Sequence, residues 1–186
     1  MFEGWDGFYL LIGSAAAGLI GLLFVVTTLM SGIERPRALQ AASLYTSPIL
    51  FHFAVVLVIS ALTAVPRLPS PATGLIIGGC ALVGMIYALR TASRLHNRAS
   101  SSEAHWSDFW CYGVAPAAVY VGLGAAAAGI WISPRAAAYG VAPALLAVLL
   151  ISIRNAWDMV TWLAPRGGAE PPAPAPATGE TPVKLD

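Results

Sequence analysis

Charge is what this chain has least of. Only 10% of its 186 residues are Asp, Glu, Lys or Arg, against roughly a quarter in an ordinary soluble domain, so water is not its main solvent. The formal net charge is +1, with ten Lys and Arg scattered along the whole chain. No basic face forms, which excludes nucleic acid as a partner. Cysteine is equally scarce: Cys80 and Cys111 fall in different apolar stretches. If those stretches are antiparallel helices, the sulfurs lie at opposite depths, more than roughly 10 Å apart at about 1.5 Å per residue, too far for a disulfide. Of three histidines only His52 falls inside an apolar stretch. That is too few for bis-histidine haem within one subunit, or for the three or four clustered ligands of a metal site. C-x-x-C, H-E-x-x-H, a glycine-rich phosphate loop and G-x-S-x-G are all missing. No cofactor, no metal and no catalytic residue is expected, and the chain does not read as an enzyme.

What it has is apolar length. Hydrophobic residues make up 58% of the chain and the mean hydropathy is +0.73. Five stretches, at about 7–30, 43–64, 73–91, 108–132 and 137–164, reach the ~20 residues that a ~30 Å hydrocarbon core requires. The expected fold class is all-α: a polytopic membrane helix bundle with five transmembrane helices over residues 1–164. Pro66, Pro69 and Pro71 mark the loop after the second stretch, and Pro134 parts the fourth from the fifth. After Pro165 the chain is Gly, Pro, Ala and isolated charges, a composition that buries no core, so 165–186 reads as a disordered tail.

Cytoplasmic loops carry the excess of Lys and Arg. With five spans, Arg35, Arg37, Arg90, Arg94, Arg98, Arg166 and Lys184 share one side and only Arg67 and Arg135 the other. This seven-to-two split places the amino terminus outside and the carboxyl terminus in the cytoplasm. Glu3 and Asp6 stand where a signal peptide would carry basic residues, so the first span is expected to stay in place. Trp5 and Trp131 fall near the outer boundary, and Trp106, Trp110 and Trp162 near the inner one, where a bilayer alone favours them.

The fifth stretch carries groups that hydrocarbon rejects: Arg154, Asn155 and Asp158. At 100° per residue they share one stripe with Thr161 and Trp162, continued by Ala147, Ala144, Pro143 and Gly140 with Ile151 between. Small and polar residues suit a protein contact, so this stripe is expected to face protein. Leu145, Leu146, Leu149, Ile153, Val160 and Leu163 are expected to face lipid. Arg154 and Asp158 are one turn apart and can neutralise each other, which leaves two readings open: an architectural ion pair or a functional site.

His52, entering from the cytoplasmic side, reaches about the depth of Arg154. Tyr45 and Thr63 share its face. A histidine beside a carboxylate at that depth can carry or gate a proton; the bland alternative is a neutral imidazole bonded to one backbone or hydroxyl group. Ser14, Ala17, Gly18 and Gly21, then Gly74, Gly78, Gly79 and Gly84, then Gly122, Ala125 and Gly129 give small residues at close spacing, with a kink expected at Pro116.

Three segments resemble a group of small bacterial inner-membrane proteins of unknown function. They are Trp5 through Gly13 with Ala15, Ala16, Gly18, Gly21, Leu22, Leu23, Phe24 and Val25; Tyr45, Thr46, Ser47 and Pro48 with His52 and Phe53; and Arg154, Asn155, Ala156, Trp157 and Asp158. The likeness covers about half the chain and implies a multi-pass protein of the bacterial inner membrane, with no activity attached.

The leading expectation is a homo-oligomeric channel or permeation protein for an ion or small solute. Arg154, Asn155, Asp158, His52, Tyr45 and Thr161 line or close its polar pathway. The alternative is an accessory or scaffold subunit that docks a membrane-protein partner through the same stripe. A lipid- or quinone-directed enzyme would have to draw on Tyr112, Asp108, His105 and Cys111, whose order matches no catalytic arrangement.

Overall fold

The computed structural model describes residues 2–30, 36–99 and 109–163, with the side chains of residues 30, 36–45, 97–99 and 162–163 outside that description. Every regular element among the described residues is helical: α1 (Asp6–Met30), α2 (Pro36–Thr63), α3 (Ser70–Ala99), a π-turn (Phe109–Val114) that runs into α4 (Ala115–Gly129), and α5 (Pro134–Leu163). Five segments within them are long and apolar enough to cross a membrane. The chain is an all-α, multi-pass membrane protein. The 165–186 tail lies outside the described residues.

Three helices begin earlier than expected. α2 starts at Pro36, seven residues before the apolar stretch does, and α3 starts at Ser70, so that Pro71 sits in its first turn rather than in the loop. Proline is tolerated there because a first-turn N–H has no partner within the helix. Pro134 likewise opens α5. Arg67, in the tight connection before α3, adopts φ 56°, a left-handed conformation that costs a side-chain-bearing residue about 1–2 kcal/mol. A turn after proline ordinarily takes glycine or asparagine at this position.

Close approaches establish the register. In α3 and the fourth span, Gly74 meets the Trp131 ring, Gly84 the Tyr120 ring and Ala92 the backbone of Gly113, a descending series that makes the two antiparallel. A methyl group on Gly84 would lie 2.4 Å from the Tyr120 ring carbons, so only hydrogen leaves space for that phenol. Gly140 faces Ala126 and Gly129 faces Ala137, making α4 and α5 antiparallel as well. Gly13 rests on Ser60, where an added Cβ would come 2.8 Å from the serine Cβ, and so joins α1 to α2. Small residues let backbones approach and gain dispersion contact where lipid removes any hydrophobic drive.

The centre is solid. Tyr9, Phe53, Ile59, Ile77, Tyr120, Leu123, Leu145 and Val148 are almost fully buried, whereas Leu10, Phe24, Leu75, Leu82 and Ile132 face outward. At the end where α1 begins, Trp5 meets Tyr139 edge-on with ring centres 5.2 Å apart, which ties the first turn of α1 to α5.

One sequence expectation fails in α5. Leu145 and Leu149 are buried, not lipid-facing. The inward seam of α5 is Ala138, Val141, Leu145, Val148, Ser152, Asn155 and Met159, a three-four spacing that interlocks with neighbouring helices. Leu146 and Ile153 do face outward. In α1, Ser14, Ala17, Gly18 and Gly21 are exposed on the outside of the bundle, and nothing stands near Gly18 or Gly21. The small face of α1 therefore packs on none of the described residues.

Candidate functional site

Proline chemistry builds the best-connected polar feature. A π-turn bonds each carbonyl to the N–H five residues on. Counted forward from Cys111, that partner is Pro116, which has no N–H. The Asn155 side chain supplies the missing donor: its Nδ2 donates to the Cys111 carbonyl at 2.9 Å. Tyr112 Oη donates to the Asn155 backbone carbonyl at 2.7 Å, and Arg154 Nη1 donates to Asn155 Oδ1 at 3.3 Å. The kink expected at Pro116 thus takes the form of a wide turn before it, clasped to α5 by one amide. In a bilayer a freed carbonyl needs such an internal partner.

Arg154 and Asp158 pair at 3.0 Å, with side chains 49% and 44% exposed. They do not face the interior of the subunit. Trp157, 69% exposed, lies between them in sequence on the same outer side, and Thr161 is exposed one turn further on, its hydroxyl donating to the carbonyls of Trp157 and Asp158. Arg154 stands seven residues before the end of the apolar span at Thr161, about 10 Å into it.

His52 is buried in the core, its Nδ1 2.8 Å from Tyr120 Oη. Its other ring nitrogen has no hydrogen-bonding partner among the described residues. Thr46 Oγ1 donates to Met159 Sδ at 3.1 Å, so six residues along α2 His52 reaches about the level of Ser152 and Asn155. Depth matches the sequence reading; direction does not. Arg154 and Asp158 point away from the ring, and the six residues form no single group. Asn155 and His52 are inside with separate partners, Arg154, Asp158 and Thr161 are outside, and the Tyr45 side chain, with Asp108 and His105, lies outside the described residues. Sequence reasoning missed Tyr120, and it named Tyr112 and Cys111 only for an enzyme, not as partners of Asn155. Pro116, paired with an intramembrane asparagine, was the signal for one of them.

Comparison with protein-family models, curated proteins and solved structures finds no match. The chain's class therefore rests on its own geometry, and the likeness to small bacterial inner-membrane proteins gains no support from these comparisons. Among the described residues no three His, Cys, Asp or Glu side chains gather closely enough to hold a metal ion. The free thiols of Cys80 and Cys111 are half-buried.

Proposed function

We propose that this chain is a homo-oligomeric permeation protein of the bacterial inner membrane, amino terminus outside, and that an ion or small solute passes along a seam between copies. The observation that carries the reading is the Arg154–Asp158 pair, half-exposed on the outer face of a membrane-spanning helix. Ionisable groups at such depth turn toward protein or water. A path through one subunit is disfavoured because Tyr120, Leu123, Leu145 and Val148 fill its centre. The seam residues are then Arg154, Asp158 and Thr161; Asn155 and His52 support the fold behind them. The bare Gly18–Gly21 face of α1 offers a second copy close backbone approach.

The self-neutralised geometry of the pair, closed at 3.0 Å beside the exposed Trp157, favours a second reading. An accessory subunit would dock a partner helix there, because a paired surface presents little net charge to desolvate. Proteoliposome flux and subunit count separate the two. Permeation predicts an oligomer with flux above empty vesicles and altered by Asp158→Asn. No flux across a range of pH, with a larger complex recovered from native membranes, rejects permeation in favour of docking.

A further inference from the structure

A second polar feature lies at the opposite end of the bundle, where α1 begins, α2 ends and α3 begins. A depression of about 210 Å³ opens there, lined by Phe2, Glu3, Asp6, Thr63, Arg67 and Thr73 among others. Four charged residues belong to this end of the described chain, Glu3, Asp6, Arg67 and Arg135, and three of them line this one depression. Both signs are present, yet none of the three is in an ion pair: the salt bridge found among the described residues is Arg154–Asp158. Opposite charges that share a pocket without closing on each other leave room for a ligand that carries both.

The hydroxyls sharpen the chemistry. Thr63 Oγ1 already donates to the Ser60 carbonyl at 2.7 Å, and Thr73 Oγ1 to the Pro69 carbonyl at 3.2 Å. Each hydroxyl proton is committed, so toward the pocket these oxygens offer acceptor lone pairs. With the two carboxylates they make four acceptor groups, which suit an ammonium that still carries N–H donors. Arg67 offers a planar donor fork to a phosphate.

Position names the source. Asp6 is the first residue of one apolar span, Thr63 the last of another and Ser70 the first of a third, so the depression lies where hydrocarbon gives way to headgroups. The Phe2 ring, part of its lining, meets Tyr9 edge-on at 5.0 Å, and the Tyr9 hydroxyl is buried without a hydrogen-bonding partner among the described residues.

We propose that this depression binds a zwitterion made of a primary ammonium and a phosphate, presented by an ethanolamine phospholipid of the leaflet on the amino-terminal side. Glu3 and Asp6 receive the ammonium and Arg67 the phosphate. The site is independent of the Arg154–Asp158 seam and of whether that seam conducts.

The test is lipid binding to the full-length protein, followed by native mass spectrometry, with phosphatidylethanolamine, phosphatidylcholine and phosphatidylglycerol titrated separately. Phosphatidylethanolamine is expected to bind about fivefold more tightly than either, a modest margin because the charged groups are exposed and screened. Phosphatidylcholine, whose quaternary ammonium has no N–H, discriminates the donor requirement. The pair Glu3→Gln with Asp6→Asn is expected to erase the preference for ethanolamine, and Arg67→Gln to weaken the ethanolamine and glycerol lipids alike. Soluble glycerophosphoethanolamine forms a further arm: binding of it with no binding of the lipid keeps the zwitterion site and moves its source to solution. Equal retention of all three lipids with no binding of the soluble compound, or an ethanolamine preference untouched by Glu3→Gln with Asp6→Asn, overturns the proposal. The altered side chains are exposed, and unchanged helicity in each variant keeps a loss of binding distinct from a loss of fold.

Discussion

Arg154 and Asn155 are neighbours in the chain and 100° apart on α5, and the bundle treats them in opposite ways. Asn155 is buried, its side chain and backbone bonded to Cys111, Tyr112 and Arg154. Arg154 is half-exposed, and its charge is met by Asp158 from its own helix. The amide answers a demand made by another segment, the carbonyl left over at Pro116. The ion pair stays within α5, where Arg154 bonds Asp158 and, at 3.3 Å, the side-chain oxygen of Asn155. A polar group inside a membrane protein is therefore informative about function when no other segment of the subunit requires it, and by that criterion the outer pair, bonded only within its own helix, is the functional candidate.

The strongest way to break this comparison is Asn155→Leu. It strands the Cys111 carbonyl in an apolar setting and is expected to destabilise the bundle by about 1.5–2 kcal/mol, measured by reversible unfolding in detergent. A loss below about 0.5 kcal/mol would show that the clasp does not hold the bundle together. Adding Pro116→Ala sharpens the point, because it restores an N–H five residues after Cys111. The double variant is expected to recover about 1 kcal/mol relative to the sum of the single losses, a coupling that a double-mutant cycle reads directly. Tyr120→Phe leaves His52 without its one bonded partner and should lower stability by about 1 kcal/mol. Smallest is Arg154→Gln with Asp158→Asn, expected to shift the stability of the isolated subunit by less than about 0.5 kcal/mol. Its effect belongs in the subunit count instead; an unchanged assembly and unchanged flux would show that the outer pair does nothing between copies.

The span count and the approximate turns were legible from runs of apolar residues and from proline. So was the presence of something unusual around Arg154, because charge is rare in such runs. The rotation of α5 was not. Polarity alone groups Asn155 with Arg154 and Asp158, and size alone assigns Leu145 and Leu149 to lipid. A helix that is apolar all round has no hydrophobic face to read. Polarity is the remaining guide, and the clasp at Asn155 and the ion pair at Arg154 pull it about a third of a turn apart. Small-residue spacing does not name a partner either: it is similar in α1 and α3, yet Gly84 receives Tyr120 while, among the described residues, Gly18 and Gly21 receive nothing.

Apolar length and charge scarcity were enough to make this chain a five-span membrane protein, because the thickness of hydrocarbon and the penalty for burying charge act on each segment separately. Which side of each helix turned inward was a collective choice. It came from shape, with Gly84 admitting a tyrosine ring and Gly140 admitting Ala126, and from one carbonyl orphaned in a neighbouring helix. Neither is visible in a single segment, since a cavity and a hydrogen-bond partner exist only once two segments meet.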